Sequence, residues 1–295
     1  MSTPAPMPRL LVAAVLAFAG WMLLHPLGIA SDDPYRDNDW FTDRAFDVLA
    51  REALFEHGQL PLRSHLVGGG FPTLGHPFDG AFSPTLLPTL LLGDVLGVKV
   101  VLALLLLIGG WGMWGLARRE LGLGVAASAF STLAFAWAGW LPSMLLVGFY
   151  PQCFYLVTPA ILRLLWRGDR RGILLGGALF ALPLSQAGNA ALAIGWMVGV
   201  ASLLRAAARA RALPLAVGSL FVLCAPLAFA REARSMLPLL GWLPLLALAS
   251  PAGRRFWIQA RPVVAAGLLM VAVSASLSAY KGVATADLLS RGDYA

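Results

Sequence analysis

The stretch VKVVLALLLLIGGWGMWGLARR, residues 98–119, decides the fold. Its twenty residues from Val98 to Ala117 contain no acidic side chain, and Arg118 and Arg119 follow at once. At 1.5 Å per residue, twenty helical residues cover about 30 Å, the hydrocarbon thickness of a bilayer. Basic residues closing such a run mark the cytoplasmic end of a membrane span.

The pattern recurs on both sides of this stretch. Leu10–Ala30 follows Arg9 as a retained first span, since no clean small-residue cleavage site comes after it. Further spans are expected at Gly124–Ser143, Leu145–Trp166, Gly172–Ser185, Ala187–Leu204, Leu213–Ala230, Met236–Leu248 and Pro262–Ala279, nine in all. Gly172–Ser185 and Met236–Leu248 are short for a crossing, as tilted, broken or protein-buried helices are. Ser83–Leu92, with Pro84 and Pro88, is too short to cross and is expected to re-enter or lie along the interface before Gly93 and Asp94.

Composition agrees. The chain has 295 residues, of which 59% are apolar and 13% charged, with a mean hydropathy of +0.75. Soluble domains carry about twice that charge, so a single large soluble core is excluded. The net charge of +7 comes from arginines at the ends of apolar runs, which points to topology and lipid headgroups rather than nucleic acid. Cys153 and Cys224 lie inside apolar segments and read as small core residues.

Arginine placement sets the orientation. With the N-terminus cytoplasmic, 13 of the 22 basic residues fall on that side: Arg9, Arg118, Arg119, Arg163, Arg167, Arg170, Arg171, Arg205, Arg209, Arg211, Arg254, Arg255 and Arg261. Acidic residues are distributed differently. Ten of the fifteen lie between Asp32 and Asp94, inside one large first extracytoplasmic loop, residues 31–97. The expectation is therefore an all-α, polytopic single membrane domain over 1–295, with its chemistry in that loop.

Within the loop, residues 40–57 have helical periodicity. Phe41, Ala45, Leu49 and Ala53 form an apolar face, while Asp43, Asp47, Arg51 and Glu52 take the other side. Asp39 stands at the N-cap position and Gly58 where a left-handed residue ends a helix. Such a helix is expected to lie at the membrane interface. Asp33, Asp37 and Asp39 then sit close to the bilayer surface, where a low dielectric raises a carboxylate's pKa and suits it to act as a base. Each also reads as a solvated turn residue or a cap. Gly68, Gly69 and Gly70 allow a tight turn whose amides approach an anion, with Arg63 and His65 just before it. The spacing of His57, His65 and His76 matches no zinc pattern, so no metal site is expected. The spans hold no acidic residue deep in the hydrocarbon, which argues against an ion-coupled carrier.

The order of these features resembles a known group. A first span, acidic residues, an amphipathic helix, Gly-x-Leu-Pro-Leu (58–62), Gly-Gly-Gly-Phe-Pro (68–72) and Phe-Ser-Pro (82–84) are similar to YfhO-like bacterial membrane proteins of the GT-C glycosyltransferase fold, best over residues 10–165. The resemblance implies transfer of a glycosyl unit from a polyprenyl-phosphate sugar to a cell-envelope acceptor, at the outer face of the bacterial cytoplasmic (inner) membrane. It implies a catalytic aspartate in the first loop, with Asp39 matching best, then Asp37, then Asp33. Arg36, Arg44 and Arg63, with His65 and the glycine turn, would bind the phosphate. Expected partners are membrane lipids and the lipid-linked donor; no further cofactor is implied, and a divalent metal is left open. The chain departs from the group's pattern at Arg63, where a Trp is usual, and at Ser83, where a Tyr is usual. It also has no acidic residue near 141–146, where many such enzymes keep one. A scaffold or accessory role beside another polytopic subunit, and transport of a lipid-linked intermediate, are the alternatives.

Overall fold

A computed structural model describes residues 40–64, 73–76, 79–137, 140–186, 188–210 and 251–290, together with positions 14 and 17. The expected spans 10–30, 213–230 and 236–248 lie outside the described residues, those two positions apart.

The described chain is helical, without a strand. Its helices are α1 (Trp40–Phe55), α2 (Leu86–Leu92), α3 (Asp94–Gly115), α4 (Val125–Ala136), α5 (Trp140–Val147), α6 (Thr158–Arg167), α7 (Arg170–Gln186), α8 (Gly188–Arg209), α9 (Pro251–Leu277) and α10 (Ala279–Ser290). Four stretches among the described residues are long and apolar enough to cross a membrane: Asp94–Glu120, Val125–Leu145, Ala190–Arg209 and Arg254–Leu277. At 17 residues, α7 reaches about 25 Å and falls short by itself. Phe130 is 73% exposed and Leu192 79%, as side chains turned toward lipid rather than water would be. The core is equally apolar, with Phe154, Leu102, Leu106, Leu156, Ile161 and Ile194 almost wholly enclosed.

Several expected boundaries are corrected. The span expected over 145–166 is not one helix: Gly148, at φ +85°, and Pro151 divide it into α5, a 3-10 segment (Tyr150–Val157) and α6. Gly148 takes the left-handed conformation that ends a helix, and Pro151 stands in the first turn of the next segment, where its missing N–H costs no bond. Ser83–Leu92 is too short to cross, as expected: α2 turns back at Gly93, φ +85°, and packs on α3, with Gly97 against the Thr89 backbone. The loop helix ends at Phe55 rather than at 57; Gly58, at φ +59°, then turns the chain so that the Gln59 N–H bonds to the Ala53 carbonyl at 2.8 Å.

Glycine allows the closest helix contacts. On α3, Gly109 and Gly112 meet the backbone of Leu156 and Ala160, and Gly115 lies under the Arg163 guanidinium. On α7, Gly176 and Gly177 meet Met270 and Val273 of α9, while Ser274 Oγ donates to the Gly177 carbonyl at 2.7 Å. Small residues bring helix backbones together where lipid supplies no hydrophobic drive. The contacts fix direction: α3 runs parallel to α6, and α7 parallel to α9, while α8 returns antiparallel to α7, with Gly195 by Phe180 and Ser202 by Trp166.

The bundle therefore has two distinct ends. At one, Arg205 pairs with Glu120 at 2.6 Å and lies over the Trp166 ring, whose Nε1 donates to Ser202 Oγ. Arg163 covers Trp111, and Arg167 pairs with Asp169 at 2.7 Å. Asp169 also accepts the Gly172 N–H at 2.8 Å, capping α7, and that bond holds its carboxyl below the usual range. Arg163, Arg167 and Arg205, three of the arginines expected on one side of the membrane, thus gather at one end. Residues 73–76 and 79–89, the end of α7 and the start of α10 gather at the other.

Candidate functional site

This second end holds the main concentration of buried polar groups among the described residues. Asp79, 1% exposed, opens a tight turn. Its Oδ1 accepts the Ala81 N–H at 2.8 Å, and Ser83 N–H bonds to the Gly80 carbonyl at 2.9 Å. Phe82 closes the turn at φ +64°, a conformation that side-chain-bearing residues adopt only at a cost. Its ring packs edge-on to Tyr280.

Helix α10 holds this turn in place. Lys281, 4% exposed, extends from α10 and its Nζ donates to the Asp79 main-chain carbonyl at 2.6 Å. Tyr280 donates to the Ala81 carbonyl across 3.4 Å and is also bonded to Ser185, at the end of α7. Beside Ser185, Gln186 lies against Gly80, where a β-carbon would come within 2.5 Å of its Oε1. That oxygen accepts the Thr85 hydroxyl at 3.0 Å, and Thr85 Oγ1 is 2.8 Å from Ser83 Oγ. On the other flank, Asp47 of α1 takes the Thr89 hydroxyl at 3.4 Å, and Phe46 stacks on His76 at 4.4 Å. Asp47 therefore turns toward α2, contrary to its expected place on a solvated face, because a polar partner awaits it there.

Burial governs the protonation of this cluster. It raises Asp79 to about 6, against the opposing pull of Lys281 and the Ala81 N–H. It lowers Lys281 to about 8, with Asp79 resisting, and lowers His76 to about 4, with Lys281 adding to the effect. At neutral pH, His76 is neutral while Asp79 and Lys281 are charged, each within about two pH units of giving up its charge. Of the four buried side-chain polar atoms without a hydrogen-bond partner among the described residues, two lie here, Asp79 Oδ2 and Gln186 Nε2; the others are Tyr155 Oη and Thr158 Oγ1. Leaving such groups unsatisfied costs about 1–3 kcal/mol each, which marks the site as adapted to something further.

The sequence-expected residues are placed unevenly. Asp33, Asp37, Asp39, Arg36, His65, Gly68, Gly69 and Gly70 lie outside the described residues. Arg44 lies on α1, and Arg63 follows it on an exposed segment. Sequence reasoning did not single out Asp79, Gln186, Tyr280 and Lys281. Asp79 read as one acid among ten, and nothing in the local sequence links it to Lys281, 202 residues away. Glu52, Glu56 and His57 bring ligand atoms within 4.8 Å of one another at the end of α1, in contact with solvent. The i, i+4 helical repeat places the two glutamates there, which the histidine spacing alone did not reveal.

Comparison with known protein families, with characterised proteins and with solved structures finds no match.

Proposed function

We propose that the protein is a GT-C-like glycosyltransferase with nine spans and a cytoplasmic N-terminus in a bacterial inner membrane. It would transfer a sugar from polyprenyl phosphate to a cell-envelope acceptor on the outer face. One observation carries the reading: the acidic loop delivers Asp79, with Lys281 and Gln186, to the end of the apolar bundle opposite the arginines. The spans' parity supports it too, since residues 210 and 251 lie at the same, arginine-bearing end, as two intervening spans require.

In this reading a loop carboxylate takes the proton of the acceptor hydroxyl. The acceptor oxygen bonds to the anomeric carbon as the bond from that carbon to the phosphate oxygen breaks, releasing polyprenyl phosphate. Asp79 suits the base role because burial brings its pKa close to neutrality. Asp39, Asp37 and Asp33 remain proposed carboxylates of the same site, with Arg36, Arg44, Arg63, His65 and Gly68–Gly70 receiving the phosphate. The test is turnover of a panel of polyprenyl-phosphate sugars by purified protein in nanodiscs, native and with Asp39→Asn, Asp37→Asn and Asp79→Asn. Loss of a true base lowers the rate about 100- to 10,000-fold. No turnover by the native protein across the panel would refute the proposal.

A scaffold reading has one observation of its own. Lys281 Nζ and Asp79 Oδ1 both bond to the main chain of a single turn, as a structural clasp does. A folded native protein without turnover across the donor panel would favour it.

A further inference from the structure

We infer that the groove between α6, α7, α8 and α9 binds one anionic phospholipid, with an acyl chain in the groove and the phosphate at Arg209 and Arg261. The groove is a cavity of about 250 Å³ with apolar walls: Leu165 of α6, Phe180 of α7, Val198 of α8, and Val264 and Leu268 of α9. Ser202, which takes the Trp166 N–H beneath Arg205, places it at the arginine end of the bundle, away from Asp79. It follows α8 from Gly195 to Leu203 and α9 from Val263 to Val271, about 12 Å at 1.5 Å per residue. One side opens to the bilayer, where Leu268 is 66% exposed.

Glycines make the groove. Elsewhere in the bundle glycine admits a neighbouring helix: a β-carbon on Gly112 would meet Ala160, and one on Gly177 would meet Val273. A β-carbon on Gly199 or Gly267 would meet nothing within 4 Å. Both residues line the groove, so here the missing side chains leave space instead of allowing close contact. Glycine in a helix interior is about 1 kcal/mol less favourable than alanine, and no packing contact among the described residues offsets that cost at these two positions.

Positive charge stands at the mouth. On α9, Arg254, Trp257, Arg261, Val264, Leu268 and Val271 recur at three- and four-residue spacing and so share one face. That face changes from basic and aromatic to apolar as it enters the groove. On α8, Arg209 lies seven residues beyond Ser202, on the same face. Contacts with α7 set the two arginines at similar height. Gly195 of α8 lies by Phe180, while Gly176 and Gly177 lie by Met270 and Val273 of α9. Extending the helices from those contacts puts Arg209 and Arg261 within about one turn, roughly 5 Å, of the same level. Both are exposed. Guanidinium groups bind phosphate oxygens through paired hydrogen bonds, while their stems lie along apolar surface. An anionic head at the membrane surface joined to an apolar chain meets both demands, and a phospholipid of this leaflet supplies them. The site is independent of the transfer reaction proposed above.

The test is native mass spectrometry of the full chain released from nanodiscs of equal dioleoyl phosphatidylglycerol and dioleoyl phosphatidylcholine. A second preparation adds polyprenyl phosphate. One retained phosphatidylglycerol is expected, in preference to the other two lipids. Gly199→Leu and Gly267→Leu fill the groove and should each lower retention about tenfold, because the chain loses its apolar surface. Both should melt no lower than the native protein in lipid-free detergent. Arg209→Gln combined with Arg261→Gln should remove the preference for phosphatidylglycerol. Arg171→Gln is the control: it lies nine residues from Phe180, on the opposite face of α7, and should change nothing. If either leucine variant fails to fold, the double arginine variant carries the test. No retained phospholipid, as when residues 211–250 or a second copy of the chain fill the groove, overturns the inference. So does retention indifferent to the glycines and arginines, or lowered equally by Arg171→Gln. Preference for polyprenyl phosphate over phosphatidylglycerol, lost in the same variants, overturns it as well.

Discussion

Replacing the buried pair with neutral side chains of similar shape, Asp79→Asn together with Lys281→Met, should stabilise the protein at pH 7. The magnitude follows from the charges. Asp79 is raised from 3.8 to about 6, which sets a cost of about 3 kcal/mol on its ionised form. That cost is present above pH 6 and fades as pH falls through 6 toward 3.8. Lys281 is lowered from 10.5 to about 8, a cost of about 3 kcal/mol on its charged form. Here the cost is present below pH 8 and fades as pH rises through 8 toward 10.5. Between pH 6 and 8 both costs apply, so the pair's contribution to stability is at its minimum there. Against this gain, Met forfeits the Lys281 bond to the Asp79 carbonyl, worth about 1.5–3 kcal/mol, while Asn keeps its acceptor for Ala81. The net gain is about 3–4 kcal/mol, in keeping with other buried ion pairs replaced by apolar residues. Tryptophan-monitored thermal unfolding in detergent at pH 7 measures it. The single Lys281→Met variant should gain less, since Asp79 then loses its countercharge and has to take up a proton. A double variant less stable than the native protein at pH 7 would refute the reasoning and make the pair a stabilising clasp.

Other expectations follow from individual contacts. Gly112→Leu should cost about 2–3 kcal/mol or prevent folding, because its side chain meets the backbone of Ala160, which cannot rotate aside; folded yield after extraction reports it. Gly80→Ala should displace the Gln186 carbonyl from Thr85 and cost about 1 kcal/mol, read as a lower melting temperature. A cysteine placed at Leu60, which is 61% exposed, should react with a membrane-impermeant maleimide only from outside whole cells; reaction from the cytoplasmic side alone would invert the topology.

Four apolar runs were legible from composition: among the described residues, Asp94–Glu120, Val125–Leu145, Ala190–Arg209 and Arg254–Leu277 are long and apolar enough to cross a membrane. What the sequence did not reveal depends on tertiary contact. The break at Gly148 and Pro151 lies inside an apolar run that hydropathy reads as continuous. Asp47 looked solvent-facing because its helix was read as isolated, whereas Thr89 on α2 draws it inward. The candidate site was half legible. The acidic loop stood out through its charge, but Asp79 became distinct only when Lys281, from the far end of the chain, and Gln186, from the end of α7, met it. Hydrophobic patterning carries no information about which loop a distant lysine joins.

The pH dependence of sugar transfer tests the central claim most directly. If Asp79 is the base, transfer from a polyprenyl-phosphate sugar should be lost as pH falls through about 6, where the carboxylate takes up a proton. It should level off above that, and Asp79→Asn should remove this limb along with most of the rate. A native profile flat from pH 5 to 8, or the same acid limb persisting in Asp79→Asn, would contradict the assignment of Asp79 as the base.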